Sequence, residues 1–291
     1  MNEYKAKDTF FSKKHSLNCR GKLLDLTTPK VMGILNITPD SFYDGGRYME
    51  PSEAMDQAGD MIRKGADIID IGAASSRPGA ETIDPKLELE RLVPVVENIR
   101  KDFPDQIISV DTFSSMVSRE LVTAYGVDII NDISAGQTDP KMIPLVAELN
   151  VPYIIMHMKG TPANMQHNPS YQNITDEIIQ YFSGKIDLLH RKGISDVLLD
   201  PGFGFGKTTD HNYELLSKLA TFQMFELPLV AGISRKSMIY KLLNTSSEEA
   251  LNGSTAAHMI LLEKGVDILR VHDVKEAKEA IVIFCASRMM H

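Results

Sequence analysis

Short apolar runs of strand length recur along the chain, and each is followed by a longer segment with a different spacing of apolar residues. The runs are rich in β-branched residues and almost continuously hydrophobic, which is typical of parallel strands covered on both faces. They predict strands at residues 31–36, 68–72, 107–111, 127–132, 153–158, 197–201, 229–234 and 266–272.

The segments between these runs have apolar residues three and four positions apart and charged residues on the opposite face, as amphipathic helices require. Several begin at Pro or Ser and end just before Gly, which are the usual start and stop signals of a helix. They predict helices at residues 51–65, 85–101, 114–125, 140–149, 174–192, 212–219, 247–264 and 275–287.

Strict alternation of strand and helix predicts an α/β protein with a parallel sheet, and eight repeats close such a sheet into a (β/α)₈ TIM barrel. We expect one barrel domain at residues 31–291, after an N-terminal extension at residues 1–30. In that extension, residues 17–28 predict a short hairpin that seals the bottom of the barrel. The alternative is an open doubly wound sheet, which would have a Gly-rich turn after its first strand. That strand runs instead into Asn36-Ile-Thr-Pro-Asp40.

Composition supports a globular enzyme and argues against several other classes. The chain has 291 residues, 43% hydrophobic and 24% charged, so it can bury a core without disulfides. Its net charge of -8 argues against a nucleic-acid surface. Cys19 and Cys285 are predicted to be reduced thiols. Neither a signal peptide nor an apolar run of about 18 residues is present, which predicts a cytoplasmic location without membrane contact.

Polar residues stand at or just after the end of every predicted strand. In a (β/α)₈ barrel the reacting groups come from these strand ends and the loops that follow them. The alternative role of such residues is to cap the next helix. The set comprises Asn36, Ser75-Ser76-Arg77, Asp111, Asn131-Asp132, His157, Asp200, Ser234-Arg235-Lys236 and Arg270-Val271-His272.

Three of these residues predict an anion site. Arg270 and His272 alternate along the last strand, so their side chains point the same way, and Asn36 ends the neighbouring first strand. Such donors suit a phosphate or pyrophosphate, with Mg²⁺ held by few protein oxygens and by the phosphates themselves. The structural alternative is an Arg270 paired with a carboxylate.

Four other residues predict a slot for a flat heterocycle. Asp111, Asn131 and Asp200 would project two carboxylates and an amide into one pocket beside Lys236, which matches a ring with donor and acceptor edges. The residues alone leave pterin and purine open.

The loop that begins at Asp200 invites comparison with a phosphate-binding loop. Its spacing is one residue too short, and Pro201 stands where the first glycine is needed. We interpret the loop as a mobile apolar wall in which either Phe203 or Phe205 offers its ring to the substrate.

The motifs in order resemble those of the dihydropteroate synthases, over residues 31–281. They are Gly33-Ile-Leu-Asn-Ile-Thr-Pro-Asp-Ser-Phe42 with Asp44-Gly-Gly46, Ser75-Ser-Arg-Pro-Gly79, Ser109-Val-Asp-Thr112, Asn131-Asp-Ile133, Met156-His-Met158, Asp200-Pro-Gly-Phe-Gly-Phe-Gly206, Ser234-Arg-Lys236 and Arg270-Val-His272. The resemblance implies a homodimeric transferase of folate biosynthesis and a target of sulfonamides. It would condense 6-hydroxymethyl-7,8-dihydropterin pyrophosphate with 4-aminobenzoate to give 7,8-dihydropteroate and pyrophosphate.

The resemblance also implies a role for each matching residue. The pterin contacts would be Asp111, Asn131, Met156, Asp200 and Lys236. Pyrophosphate would meet Asn36, Ser76, Arg270 and His272, with Asn36 at the Mg²⁺. The aminobenzoate surroundings would be Ser76, Arg77, Pro78, Phe205, Ser234 and Lys236. Asp44 and Arg77 would close loops over the site, and Asp111, Lys236, Arg270 and His272 would serve catalysis.

Two loops depart from the commonest family pattern. Ala74 and Ser76 replace a Glu and a Thr, and Tyr43 stands where Ser is frequent. These changes affect the expected fine shape of the aminobenzoate site. The rival class is the pterin-binding barrel of cobalamin-linked methyltransferases, which shares the Asp and Asn contacts. That class has no reason to keep the Ser75 to Gly79 loop or the Arg270 and His272 pair, and it needs a cobalamin partner domain.

Overall fold

The computed structural model describes residues 13–37, 51–74, 83–161 and 163–288. Within these ranges, eight parallel strands alternate with helices, and an antiparallel hairpin precedes them. The hairpin strands are β1 (Ser16–Cys19) and β2 (Lys22–Asp25). The parallel strands are β3 (Lys30–Asn36), β4 (Ile68–Gly72), β5 (Ile107–Asp111), β6 (Ile129–Asp132), β7 (Tyr153–Met156), β8 (Val197–Asp200), β9 (Val230–Ala231) and β10 (Ile268–Val271).

The helices lie on the outside of these strands. They are α1 (Pro51–Arg63), α2 (Pro85–Asp102), α3 (Ser115–Thr123), α4 (Met142–Leu149), α5 (Ile174–Arg191), α6 (Thr209–Ser217), α7 (Ser237–Leu242), α8 (Leu251–Glu263) and α9 (Val274–Arg288). Local signals explain several boundaries, since Asp84, Ser114, Asn173 and Thr208 each cap the first turn of a helix through a side-chain oxygen.

The strand order is β8-β7-β6-β5-β4-β3-β10-β9, and a parallel bridge between Leu199 and Leu229 joins β8 to the start of the β9 segment. The ring of strands is therefore closed, and the predicted (β/α)₈ barrel is confirmed. Of the helices in the described residues, none is both long and apolar enough to cross a membrane.

Several predicted elements differ from the observed ones at their ends, and two regions differ in more than their ends. The strand predicted at residues 229–234 pairs only from Leu229 to Ala231, because the chain turns away after Gly232 and Arg235 adopts a left-handed φ of 54°. Helix α7 and a 3₁₀ helix, Leu219–Phe225, were not predicted as separate elements. Both are short and lack the repeated apolar spacing that reveals a longer helix.

Two hydrophobic clusters stabilise the barrel. The larger one lies between the strands and the helices and contains fully buried side chains such as Leu35, Val110, Phe182 and Phe222. The smaller one, here called the lower cluster, packs Leu17, Cys19, Leu24 and Leu26 of the hairpin region onto side chains near the beginning of the parallel strands. The hairpin therefore closes the N-terminal end of the barrel, as predicted.

Candidate active site

Side chains alternate along each strand, so a residue two positions beyond an inward-facing one also faces into the barrel. The apolar side chains Ile68, Ile129, Leu198 and Ile268 meet in the lower cluster and therefore point inward. The residues two positions further along the same strands are Asp70, Asn131, Asp200 and Arg270. On each of these strands, the next inward-facing position above the lower cluster is therefore polar. These side chains form what is here called the polar layer.

Arg270 is the centre of that layer. Its Nε donates to Asp70 Oδ2 over 2.6 Å and its Nη2 donates to Asp111 Oδ2 over 2.7 Å. Asn131 Nδ2 donates to the same Asp70 oxygen over 3.0 Å. The structure thus connects Arg270, which the sequence assigned to the anion site, with Asp111 and Asn131, which it assigned to the ring slot. It also contains the Arg270–carboxylate pairing that the sequence left open as an alternative.

Asp70 was not among the predicted site residues. It is fully buried, and its Oδ1 has no hydrogen-bond partner in the described part of the chain. It lies in the middle of β4, whereas the predicted residues lie at or just after the ends of strands. The available signal was a single acidic residue inside an otherwise apolar strand, since such a residue is seldom buried without a charged partner.

In this cluster the guanidinium of Arg270 faces the two carboxylates of Asp70 and Asp111. The charges of these groups affect the pKa of Asp111. Burial, opposed by Arg270 and reinforced by the negative charge of Asp70, raises the pKa of Asp111 to about 7. The pKa of Arg270 is also raised, because the attraction of Asp70 and Asp111 outweighs its desolvation. Arg270 therefore stays charged, and Asp111 titrates near neutral pH.

Asp200 and Lys236 form the second part of the polar layer. Asp200 is 8% exposed, and its Oδ1 accepts the Gly202 N–H over 2.7 Å. Burial raises its pKa, while the charges of Lys236 and Arg270 oppose that shift. Burial lowers the pKa of Lys236 to about 8, against the attraction of Asp200. The charges of Asp200, Lys236 and Arg270 act on one another, as expected of neighbouring side chains in one polar layer.

The loop after β8 covers Lys236. Its Nζ donates to the Phe203 carbonyl oxygen and lies 4.6 Å from the centre of the Phe205 ring. Phe203 is fully buried, whereas Phe205 is half-buried. A fully buried ring cannot present its face to a ligand, so of the two predicted rings only Phe205 is placed to do so.

Met156 lies under the same loop. It is 3% exposed, and a Cβ atom added at Gly202 would lie 3.2 Å from its Cγ. Met156 pairs with Asp200 in the register of β7 and β8. The predicted apolar pterin contact is therefore beside the predicted polar one.

The loop after β9 is attached to the loop after β10. Arg235 binds Asp273 through two nitrogens, over 2.8 and 2.7 Å, and the Ser234 hydroxyl accepts the His272 backbone N–H over 3.3 Å. Desolvation and the Arg270 charge lower the pKa of the His272 ring. His272 is therefore a neutral donor or acceptor at neutral pH, and Arg270 supplies the positive charge of the predicted anion site.

Asn36 ends β3 with an exposed side chain. A Cβ atom added at Gly72 would lie 3.7 Å from Asn36 Oδ1 and 3.4 Å from Asp111 Cβ, so the glycine keeps the space between them open. The described residues hold no cluster of three or more His, Cys, Asp or Glu arranged for a metal ion. A lone amide oxygen at an open rim fits a Mg²⁺ whose remaining ligands are water and phosphate oxygens.

Lys207 is buried, and its amino group is bonded within its own loop. Its Nζ donates to the carbonyl oxygens of Gly202 and Phe205 within its own loop. Burial lowers its pKa to about 7.

Four predicted residues, Asp44, Ser76, Arg77 and Pro78, lie outside the described residues, as does the departure at Tyr43.

Comparison with known proteins assigns this site to a family. The model of the pterin binding enzymes matches residues 32–272. The chain belongs to the pterin-binding enzymes. This match covers every strand of the barrel apart from the first two residues of β3, and it includes the polar layer around Arg270.

Relatives of this pterin-binding enzyme are dihydropteroate synthases. The one from Escherichia coli is 47% identical over 267 residues, covering 91% of this chain and 94% of the relative. The crystal structure of Yersinia pestis dihydropteroate synthase with a sulfonamide drug has a TM-score of 0.90 and 45% identity, covering 94% of this chain and 99% of that chain. The Xanthomonas albilineans enzyme with 4-aminobenzoic acid has a TM-score of 0.87 and 38% identity, covering 94% and 98%.

Proposed function

We propose that this chain is a dihydropteroate synthase that joins 6-hydroxymethyl-7,8-dihydropterin pyrophosphate to 4-aminobenzoate and releases pyrophosphate. The observation that carries the proposal is the polar layer around Arg270, which combines buried carboxylates for a pterin ring with a cation for its leaving group. The similarity to dihydropteroate synthases over most of the chain supports it.

The pterin ring would occupy the slot between Met156 and the polar side chains opposite. Asp200 would accept two hydrogen bonds from the aminopyrimidinone edge, and Lys236 would donate to a ring nitrogen or carbonyl. Asn131 already gives its amide nitrogen to Asp70, so its Oδ1 is the atom available to accept from the ring. Guanine, a purine, has the same aminopyrimidinone edge, so the choice of a pterin rests on the family relationship.

Pyrophosphate would bind between Arg270, His272 and Asn36, with Ser76 as a further proposed contact. Arg270 uses Nε and Nη2 for the two carboxylates, and a guanidinium has five N–H donors, so Nη1 can hold an anion without breaking either pair. A Mg²⁺ held by Asn36 would add electrostatic stabilisation of the departing pyrophosphate.

The aminobenzoate would lie against Phe205, with Ser234 and Lys236 beside it and Ser76, Arg77 and Pro78 completing its surroundings. The half-buried Phe205 ring offers an apolar face for stacking on the benzene ring. Sulfonamides share this flat aniline shape, so we propose that they compete for the same position. We also propose that the enzyme is a homodimer.

The reaction would begin with cleavage of the bond between the pterin methylene carbon and the pyrophosphate oxygen. The electron pair leaves with pyrophosphate, and the positive charge left on the pterin is stabilised by the Asp111 carboxylate. The aniline nitrogen then attacks the methylene carbon and loses a proton. Arg270 and His272 stabilise the leaving group by preorganised electrostatics. Asp44 and Arg77 would close over the site and exclude water.

The test is release of pyrophosphate by the purified full-length chain, measured in a coupled assay. We expect release only when both the pterin pyrophosphate and 4-aminobenzoate are present, with dihydropteroate formed in equal amount. Release without 4-aminobenzoate would indicate hydrolysis rather than synthesis. Activity toward an intact folate with no pyrophosphate release would favour the cobalamin-linked methyltransferase class instead.

A further inference from the structure

We propose that Lys207 is a positioning residue for Lys236, which it holds in place through residues 202–206, here called the wall loop. The proposal rests on the proposed function, because Lys236 is the side chain that would contact both substrates. Lys207 itself is 3% exposed and its amino group is bonded to the wall loop and to His157, so it would touch neither of them.

Lys207 is enclosed by the wall loop and by the end of β7. It is 3% exposed, and its Nζ lies 2.8 Å from the Gly202 carbonyl oxygen and 3.0 Å from that of Phe205. The same nitrogen lies 3.1 Å from His157 Nδ1 and 3.3 Å from the His157 carbonyl oxygen. A single amino group therefore ties both ends of the wall loop to the adjacent strand.

The three shortest of these four contacts match the donors of the amino group. An ammonium group has three N–H bonds, which suit the two loop carbonyls and the His157 ring nitrogen. A neutral amine still has two N–H bonds for the carbonyls, and its lone pair can accept from the other tautomer of His157. The His157 ring is neutral, because burial and the nearby Lys207 charge lower its pKa to about 2. Both protonation states of Lys207 can therefore hold the loop.

The wall loop packs too closely on its neighbours to carry side chains at both ends. A Cβ atom added at Gly202 would lie 2.0 Å from the His157 carbonyl oxygen, and one at Gly206 would lie 2.4 Å from that of Lys159. Both glycines have positive φ, 71° and 60°. Backbone that approaches this closely has polar groups that water cannot reach, so internal donors must satisfy them.

Two outer contacts support the same loop. The Tyr171 hydroxyl donates to the Gly206 carbonyl oxygen over 2.8 Å, and Gln166 Nε2 donates to that of Gly204 over 2.7 Å. Together with Lys207, these side chains hold the wall loop in place.

The side chain of Lys236 packs on the wall loop. The Lys236 amino group donates to the Phe203 carbonyl oxygen and lies above the Phe205 ring. Its aliphatic part packs on Gly204, where an added Cβ atom would lie 3.2 Å from Lys236 Cδ. Moving the wall loop would therefore move the Lys236 amino group relative to Asp200, whose charge acts on it.

The experiment is a double-mutant cycle with Lys207→Met and Lys236→Met. Each variant is assayed for pyrophosphate release, and its pterin affinity is measured by calorimetry. We expect Lys207→Met to lower kcat/KM by about 10- to 100-fold, since a misplacement near 1 Å has effects of that size. Because Lys207 would act through Lys236, we expect Lys207→Met to change kcat/KM and pterin affinity less than about threefold in the Lys236→Met background.

The matched control is Lys13→Met. Lys13 also donates to a backbone carbonyl, that of Gly265, but at the opposite end of the barrel. We expect its effect on kcat/KM to be the same in both backgrounds. Multiplicative losses for Lys207→Met and Lys236→Met, or an unchanged pterin affinity in Lys207→Met, would overturn the proposal.

A second variant keeps the test valid if Lys207→Met does not fold. Tyr171→Phe combined with Gln166→Leu removes the outer supports of the wall loop without emptying a buried site. We expect this double variant to lower kcat/KM by less than Lys207→Met does. The loss should again be absent in the Lys236→Met background. A loss of equal size in both backgrounds would count against the proposal. An inactive wild-type chain would instead reject the proposed function, which separates the two failures.

Discussion

The two ends of the barrel are built from the same strands, and different residues occupy their inward positions. At the lower end, Ile68, Ile154 and Ile268 pack with the hairpin in an apolar cluster. Two positions further along β4 and β10, Asp70 and Arg270 meet in an ion pair. Polar groups at such a depth are costly to bury, so the lower end serves stability and the upper end serves binding.

The comparison predicts the largest effect for a substitution in the lower cluster. Ile154 is fully buried there. We expect Ile154→Ala to lower the free energy of unfolding by about 2–5 kcal/mol, through lost burial and the cavity left behind. Denaturant unfolding measures this change. KM and kcat of the folded enzyme should stay close to wild type, and a large rise in KM would mean that the two ends are not separate.

The next effect belongs to the upper end. We expect Asp111→Asn to lower kcat by about 10²-fold or more, because the carboxylate no longer stabilises the positive charge on the pterin. Single-turnover kinetics at saturating substrates measure the chemical step. Near-normal turnover would show that Asp111 has no role in it, and the unfolding midpoint reports whether the variant is also destabilised.

A smaller effect separates the two parts of the upper end. We expect Arg270→Ala to weaken binding of pyrophosphate about tenfold more than binding of the bare pterin, because Arg270 would contact the anion directly and the ring only through Asp70 and Asp111. Calorimetric titration with each ligand is the measurement. Equal losses for both ligands would place the anion site elsewhere.

The smallest effect is a shift in pH dependence. The proposed mechanism needs ionised Asp111 and protonated Lys236, so kcat/KM should rise with pH through about 7 and fall above about 8. Asp70→Asn removes a negative charge that raises the pKa of Asp111, so the acidic limb should move to lower pH. Lys236→Met should abolish the alkaline limb. An acidic limb that does not move in Asp70→Asn would contradict the proposed coupling.

The boundaries of regular elements were predictable where local signals are strong. β4 and β5 have the predicted ends, and α5 differs only at its last residue. These elements combine a continuous apolar run, or a clear helical spacing, with capping residues. The strand at β9 was predicted too long, because nothing local reveals that the chain leaves the sheet after Gly232 to form the turn at Arg235.

For the site, the sequence by itself determined which strands end in chemical groups and the family to which the motifs belong. Asp111, Asn131, Asp200 and Arg270 lie in one polar layer, with Lys236 close enough for its charge to act on Asp200, because parallel strands bring their carboxyl ends to the same rim. That outcome depends only on the order of strands and their alternating faces.

Only the tertiary structure decided the contacts made across the barrel. Asp70 is 200 residues from Arg270 in sequence, and Lys207 is 50 residues from His157. Neither pairing follows from a local pattern, because hydrogen bonds between distant strands depend on barrel closure and on the register of each strand. The sequence thus specified which groups lie at the rim. Folding determined which of them form ion pairs and hydrogen bonds with one another.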